Sequence, residues 1–322
     1  MRAERNSSSP AVALRVDGLA KNFGDVKAVD GLSLEIFRGE IFGFLGPNGA
    51  GKTTTIRMMC GLLRPDAGGV KIEGRAIRAG AGGGLPGVGF SPQAIVIWET
   101  LTCREQLEFM GRMYGRSKAE TRSKAGELLD AFGLRDKADR AGKTLSGGMQ
   151  RRLNIALALV HDPEIVFLDE PQAGLDPQSR VLVRDYIRSL GRRATVVLTT
   201  HDMDEAEKLA DRVCIIDRGR LLVLDTVDGL KAGLGRGDVV EVEIAEDVRT
   251  SLLPFVPSLE RAHPGATAAG RTLSLVSSQA ADVLPEILAA VKTRGLHLER
   301  LGLRKVTLED VFIQLTGRGL RE

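Results

Sequence analysis

Eight residues early in the chain form a pattern typical of phosphate binding. They run Gly46-Pro-Asn-Gly-Ala-Gly-Lys-Thr53, match G-x-x-x-x-G-K-[ST], and lie between a predicted strand and a predicted helix. Glycines let backbone amides turn toward phosphate oxygens, the helix N-terminus adds its dipole, and the lysine supplies a mobile cation. The pattern therefore predicts a phosphate site whose ligands are Gly46, Asn48, Gly49, Gly51, Lys52, Thr53 and Thr54.

A second pattern is a short apolar strand that ends in two carboxylates, Ile165-Val-Phe-Leu-Asp-Glu170. In phosphoryl-transfer sites the first acid holds Mg²⁺, to which Thr53 would add its hydroxyl, and the second polarises the attacking water. Taken alone, an apolar strand that ends in Asp-Glu is usually only a strand end. After a phosphate loop at a plausible distance, we expect Asp169 to bind Mg²⁺ and Glu170 to be catalytic.

A third pattern, Leu145-Ser-Gly-Gly-Met-Gln-Arg-Arg152, opens a predicted helix. A serine hydroxyl and glycine amides at a helix N-terminus form a second anion site, although Ser-Gly-Gly alone is more often an ordinary N-cap and turn. With the other two patterns in this order, the segment resembles the signature motif of ABC ATPases. The resemblance extends over about residues 12–225.

The resemblance implies ATP and Mg²⁺ as cofactors and a homodimer of nucleotide-binding domains. In such a dimer, the signature motif of one chain closes over the γ-phosphate bound by the other chain. Here the motif consists of Ser146, Gly147 and Gly148, with Gln150 beside them. Asp176, in Gly-Leu-Asp-Pro, matches the aspartate that contacts the partner cassette. The resemblance also implies a membrane-spanning permease as a second partner.

Two further residues complete the predicted catalytic set with Glu170. Gln93, in Ser-Pro-Gln, matches the loop glutamine that senses Mg²⁺ and contacts the membrane partner, and His201 matches the switch histidine that hydrogen-bonds the γ-phosphate. A lone histidine is more often structural. The position of His201 just beyond a predicted strand, on the ligand side of a parallel sheet, favours a role in the nucleotide site.

Two residues depart from the family pattern. Phe23 stands where the family most often has Tyr, and its ring can still stack on adenine without the hydroxyl. Gln172 follows Asp-Glu-Pro where a Ser or Thr is common, so a longer amide lies beside the catalytic carboxylate. We expect activity to persist, at a rate that this change affects.

Composition excludes several classes of protein. The 45 basic and 42 acidic residues are interleaved, which argues against a nucleic-acid partner. The three cysteines, Cys60, Cys103 and Cys214, are far apart and have no metal-site spacing, as expected of a reducing compartment. Neither an apolar run of about 18 residues nor a signal peptide is present. We therefore expect a cytoplasmic protein, peripheral on the inner face of the membrane.

Periodicity predicts an α/β fold with a parallel sheet. After a small antiparallel β region, a glycine-dense loop at 79–89 precedes a helical insertion, and helices then alternate with strands. The predicted organisation is a flexible N-terminus (1–11), a nucleotide-binding domain (12–228, with a helical subdomain at about 94–160) and a small α+β domain (229–322) that begins with a linker at 229–237. The last domain is expected to adjust dimer stability or partner choice.

The flanking regions indicate which kind of ABC protein this is. The segment 98–115 resembles ATPases of ABC-2 type exporters of drugs, polysaccharides and nodulation factors, and the tail at 308–318 resembles daunorubicin-resistance ATPases. Trp98 is equally compatible with a partner contact and with burial. The tail helix is compatible with a partner contact and at least as compatible with packing on its own domain. An importer ATPase shares the cassette. A soluble ABC factor for ribosomes or DNA is disfavoured because the chain has one cassette and no sustained heptads.

Overall fold

The computed structural model describes residues 11–77, 85, 87–191, 193–234, 237–253, 255–262, 266–278 and 280–316. Its contacts divide the chain into two compact units, Met1–Leu224 and Asp225–Glu322. The predicted flexible N-terminus, apart from Ala11, lies outside the described residues. In the described part of the chain, no helix is both long and apolar enough to cross a membrane.

The first unit contains a sheet that brings several strand ends to one edge. In sheet order its strands are β10 (Arg220–Thr226), β9 (Arg212–Asp217), β3 (Ile41–Leu45), β8 (Thr195–Thr200), β7 (Ile165–Asp169) and β6 (Val88–Ser91). β3 pairs in parallel with β8 and β9, and β7 pairs in parallel with β6 and β8. Because parallel strands end on the same side, the loops after them meet at one edge.

A second, antiparallel sheet of the same unit confirms the predicted small β region. It consists of β2 (Val26–Phe37), β1 (Val12–Phe23), β4 (Ala67–Ile72) and β5 (Arg75–Ala76), in that order. Val16 pairs with Leu34 and Val70, and all three side chains enter the apolar core under β3. This alternation of inward and outward residues is the period-2 pattern that the sequence shows.

Helices pack on the parallel sheet, and those between residues 94 and 160 form the predicted helical subdomain. The helices of this unit are α1 (Lys52–Met59), α2 (Cys103–Met113), α3 (Lys118–Ala131), α4 (Gly147–Leu159), α5 (Pro177–Leu190) and α6 (Met203–Leu209). Thr102 and Ser117 form capping boxes that start α2 and α3. α1 is the helix predicted after the phosphate loop; it begins at Lys52 because the loop leads directly into it, and Gly61, with φ of +72°, stops it.

The second unit is a small α+β module, as predicted. Its antiparallel sheet has the order β12 (Thr267–Ala269), β13 (Thr272–Ser277), β11 (Asp238–Ile244) and β14 (Leu298–Lys305). Helices α7 (Val227–Gly233), α8 (Val248–Ser251), α9 (Phe255–Ala262), α10 (Ala280–Thr293) and α11 (Leu308–Thr316) complete it. Its apolar core includes Val240, Val242, Leu273, Leu275 and Ile287.

Two predicted loops prove to be partly regular structure. Residues 229–237, predicted as a linker, overlap α7, because Thr226 caps that helix and Val227 and Leu230 are buried. Residues 88 and 89 of the predicted loop at 79–89 belong to β6, which the pairing with β7 stabilises. Most of the remainder of that loop, 79–84 and 86, lies outside the described residues.

Candidate active site

The phosphate loop between β3 and α1 is closely packed against neighbouring backbone. A Cβ atom on Gly46 would lie 2.2 Å from the carbonyl oxygen of Ile216, and one on Gly51 would lie 2.2 Å from that of Ala28. Gly51 also has φ of +102°, which other residues rarely adopt. Asn48 and Gly49 form the exposed tip of the loop, whereas Thr54, in α1, is partly buried. The two crowded glycines therefore fix the shape that the motif requires.

Lys52 is buried inside this loop. Its Nζ donates hydrogen bonds to the carbonyl oxygens of Gly46 at 2.6 Å and Pro47 at 3.0 Å. Burial lowers the pKa of Lys52, and the negative charges of Glu170 and Asp169 oppose that shift without cancelling it. The structure thus brings the lysine into the same electrostatic environment as the two carboxylates that end β7.

Asp169 and Thr53 bring oxygen atoms of the kind that bind Mg²⁺ close together. Asp169 Oδ1 accepts hydrogen bonds from Thr53 Oγ1 at 3.1 Å and Thr199 Oγ1 at 2.6 Å. Its Oδ2 is buried and has no hydrogen-bond partner among the described residues. A buried carboxylate oxygen beside a threonine hydroxyl fits Mg²⁺, which proteins commonly bind through one or two carboxylates together with substrate phosphates. The described residues hold no cluster of three or more acidic, His or Cys side chains that would bind a metal alone.

Glu170 is held at the end of β7 in a strained conformation. Its φ of +48° lies in the left-handed region, which costs a residue with a side chain about 1 kcal/mol or more. Its amide donates to Thr199 Oγ1 at 2.9 Å and to the Thr199 carbonyl at 3.2 Å, which compensates for part of that strain.

The Glu170 carboxylate contacts both other predicted catalytic residues. Its Oε1 lies 3.0 Å from His201 Nδ1, and its Oε2 accepts a hydrogen bond from Gln93 Nε2 at 3.3 Å. The carboxylate is almost fully buried, whereas 54% of the His201 side chain is exposed. Residues from the ends of β6, β7 and β8 therefore meet around one carboxylate that can accept a proton from water.

The signature segment is arranged to face outward. Ser146 caps α4 through a 3.3 Å bond from the Met149 amide, and Ser146 and Gly147 are exposed. Gly148 lies beside Leu175 and Asp176, and Asp176 in turn caps α5. The exposed Ser146 and Gly147 thus present a hydroxyl and backbone amides that can meet an anion, with the Asp176 carboxylate near Gly148.

Gln150 differs from its neighbours in the signature segment. Its amide nitrogen donates to the carbonyl oxygen of Gly142 at 3.1 Å. The side chain therefore contacts its own helical segment.

Phe23 and Gln172 mark the two departures from the family pattern. Phe23 ends β1 with 53% of its surface exposed, so one face of the ring is accessible to a base. Lys21 Nζ lies 5.7 Å from the ring centroid. Gln172 is buried, and its Nε2 has no hydrogen-bond partner among the described residues.

Two residues that contact the catalytic groups were not identified from the sequence. Thr199 contacts both Asp169 and Glu170, and a polar residue near the end of a buried strand was the available signal. Arg151 contacts the backbone of Glu170, and although it lies within the segment that resembles the signature motif, no role was predicted for it. Its contacts lie 18 to 59 residues away along the chain, so local pattern could not reveal them.

Comparison with known proteins agrees with this geometry. The family profile for the ABC transporter matches residues 29–173. The chain is 40% identical to a daunorubicin resistance ATP-binding protein of Streptomyces coeruleorubidus, over 95% of this chain and 96% of that protein. It is also 40% identical to a Nod factor export ATP-binding protein of Paraburkholderia xenovorans, over 97% of this chain and all of that protein.

Solved structures extend the comparison to three dimensions. An ATP-binding subunit of an ABC transporter superposes with a TM-score of 0.64 at 28% identity, and the match covers 69% of this chain and 93% of that one. A dimeric ATP-binding cassette bound to ADP and Pi superposes with a TM-score of 0.61 at 27% identity, and the match covers 66% and 98% of the two chains. Motifs, geometry and near full-length similarity agree, and the chain belongs to the ATP-binding proteins of the ABC transporter family.

Proposed function

We propose that this chain hydrolyses ATP and thereby powers the export of a substrate through a separate membrane-spanning permease. The observation that carries the proposal is the convergence of Gln93, Glu170 and His201 beside a phosphate loop that contains Lys52. The names of the similar proteins, which concern drug resistance and Nod factor export, support export over import.

The residues divide the hydrolytic step among them. The loop amides and Lys52 bind the β- and γ-phosphates, and Thr53 and Asp169 would hold Mg²⁺, which neutralises phosphate charge when bound. Glu170 accepts a proton from the water that attacks the γ-phosphorus, and ADP leaves with the electrons of the broken bond. His201 orients Glu170 and contacts the γ-phosphate, and Gln93, which lies within hydrogen-bond reach of Glu170, would sense Mg²⁺.

A second copy of the chain completes the site in this proposal. Ser146 and Gly147 are exposed at the N-terminus of α4, a helix long enough for its dipole to attract an anion. Closed over the phosphate loop of a partner, they would contact its γ-phosphate, with Asp176 near the contact between the two copies. The similar cassette solved as a dimer with ADP and Pi supports this arrangement.

The permease would dock on an apolar groove beside Gln93. The groove is lined by Leu62, Val96, Trp98, Met110 and Tyr114, among others. Trp98 is 41% exposed and packs edge-on against Phe109 at 5.3 Å between ring centroids, so it is neither buried nor isolated. A large exposed apolar surface of this kind marks a protein contact. We place the complex on the cytoplasmic face of the membrane.

Catalysis would belong to the nucleotide-binding domain at 12–228, and residues 229–322 would have an accessory role. In the second unit, Leu308, Val311 and Phe312 of α11 are buried, whereas Leu315 is exposed. The accessory domain would adjust dimer stability or the choice of permease.

The experiment that tests hydrolysis is Glu170→Gln, with Glu164→Gln as its control. Gln keeps the shape of Glu170 but cannot accept a proton, so turnover should fall about a hundredfold or more while ATP binding persists. Glu164 is exposed just before the other end of β7 and should tolerate the change. Normal turnover in Glu170→Gln would refute the assigned role.

The docking surface is tested with Leu62→Glu, and Leu222→Glu is the matched control. Both leucines are exposed, but only Leu62 lines the groove beside Trp98. Leu62→Glu should abolish co-purification with a membrane protein while basal ATP hydrolysis is retained, and Leu222→Glu should change neither. Equal co-purification of both variants would place the permease elsewhere.

A further inference from the structure

Arg151 lies in α4, three residues after Gly148, and its side chain runs inward to the catalytic edge of the sheet. Only 3% of the residue is exposed. Burying a guanidinium is costly unless hydrogen bonds compensate for the lost water. Its acceptors therefore show what the residue holds in place.

The two terminal nitrogens of Arg151 bind two different strand ends. Nη1 donates to the carbonyl oxygens of Pro92 at 2.8 Å and Gln93 at 2.6 Å, in the loop after β6. Nη2 donates to the carbonyl oxygen of Asp169 at 3.0 Å and to that of Glu170, at the end of β7. One planar group thus joins the backbone of Gln93 to the backbone of Glu170.

This backbone link is stronger than the direct contact between the same two residues. The bond from Gln93 Nε2 to Glu170 Oε2 is 3.3 Å long, and the Gln93 side chain is exposed. Both contacts involve an ionised group, the guanidinium in one and the Glu170 carboxylate in the other, so charge does not distinguish them. The guanidinium, however, is buried and forms shorter bonds to both strand ends. The spacing between the two residues is accordingly set mainly by the guanidinium.

The adjacent Arg152 provides an internal comparison. It is also buried and also donates to backbone carbonyls, but its acceptors are Phe132 at 2.6 Å and Gly133 at 3.4 Å, at the end of α3. Two consecutive arginines of α4 therefore hold different parts of the unit. Arg151 binds the catalytic edge, whereas Arg152 binds the helical segment.

We propose that Arg151 is a positioning residue that sets the distance between Gln93 and Glu170 and makes both follow the movement of the signature helix α4. This inference rests on the proposed hydrolysis at Glu170. Because Gln93 adjoins the groove proposed for the permease, a displacement there is transmitted to the backbone of Glu170 through the guanidinium. A misplacement of about 1 Å in such a site can reduce the rate about a hundredfold.

The test is Arg151→Lys in the full-length chain, with Arg152→Lys as the matched control. Lysine keeps the charge but has a single side-chain nitrogen. It can therefore donate to the carbonyls of one strand end and not to those of both. We expect a moderate loss of thermal stability, because some buried carbonyls lose their donor, together with an unchanged KM for ATP and turnover per bound nucleotide about tenfold or more below the wild type. Arg152→Lys should affect stability by a similar amount and leave turnover per bound nucleotide within about twofold.

A double-mutant comparison guards against a variant that is merely unstable. If Arg151 acts through Gln93, then Arg151→Lys combined with Gln93→Ala should lower turnover by clearly less than the product of the two separate effects. Normal turnover in Arg151→Lys, a loss equal to that of Arg152→Lys, or fully multiplicative effects would each overturn the inference. The proposed function has a separate criterion, since it fails if Glu170→Gln turns over normally.

Discussion

The two sheets that organise the two units differ in what they bring together. In the first unit, parallel strands β6, β7 and β8 end at the same edge, and Gln93, Glu170 and His201 follow them directly. In the second unit, antiparallel strands alternate in direction, so the ends of neighbouring strands lie on opposite sides. The parallel arrangement collects distant residues at one place, and the antiparallel one distributes them.

The polar groups at the catalytic edge of the first unit and those around Arg304 in the second unit are used differently as well. Glu170 has a strained φ, and Asp169 Oδ2 is buried without a partner among the described residues. In the second unit, Arg304 donates to Glu241 Oε1 at 2.8 Å and to both carboxylate oxygens of Asp310. Strain and unsatisfied polar groups at a site indicate function, whereas a satisfied network indicates stability.

We expect Gly46→Ala to have the largest effect. It tests whether the backbone is packed more tightly at the phosphate loop than at Gly302 in the second unit. The added Cβ would lie 2.2 Å from the Ile216 carbonyl, so we expect a loss of about 3 kcal/mol in the free energy of unfolding and loss of ATP binding. In the second unit, Gly302→Ala places a Cβ 3.7 Å from that of Glu241 and should change stability by less than about 0.5 kcal/mol. Thermal unfolding and binding of a fluorescent ATP analogue measure both, and equal effects would refute the comparison.

Lys52→Ala should follow in size. The variant removes a buried ammonium that can form charge-assisted bonds worth about 1.5–3 kcal/mol to phosphate. ATP affinity should therefore fall about tenfold to a hundredfold, which isothermal titration calorimetry can measure. Lys305→Ala, on an exposed side chain of the second unit, should leave affinity unchanged. Wild-type affinity in Lys52→Ala would remove the lysine from the phosphate site.

Arg304→Met should give a smaller effect, confined to stability. The Arg304 side chain is partly exposed, so loss of its bonds to Glu241 and Asp310 should lower the free energy of unfolding by about 1 kcal/mol. Arg300→Met, on the same face of β14, is the control. Turnover per bound nucleotide should equal that of the wild type, and a catalytic defect would show that the second unit belongs to the active site.

The smallest expected effect is a pH dependence through Asp310. Burial raises the pKa of Asp310, but the hydrogen bonds from Arg304 and Thr307 outweigh burial and hold that pKa below its ordinary value. The folded state therefore binds fewer protons than the unfolded state, and the stability that Asp310 contributes is present above about pH 4 and lost as pH falls further. Asp310→Asn should lose less stability than the wild type between pH 6 and pH 3.5. Parallel losses in urea titrations would contradict this.

Local patterns in the sequence were sufficient to predict the α/β class, the phosphate loop and the small α+β module. They worked because a phosphate loop needs its glycines, lysine and threonine at fixed spacing, and because β3 and β7 are short apolar runs next to those residues. They failed at 229–237, where glycines suggested a linker. There the Thr226 cap and the burial of Val227 and Leu230 stabilise α7.

Tertiary structure alone decided how the catalytic groups are held. The left-handed φ of Glu170 is held by two bonds from its amide to Thr199, and these bonds and the four carbonyls around Arg151 involve residues distant in sequence. The sequence by itself determined which residues could bind phosphate and accept a proton, because those properties belong to single side chains and short loops. Their distances depend on strand order and buried hydrogen bonds, which exist only after the parallel sheet has formed.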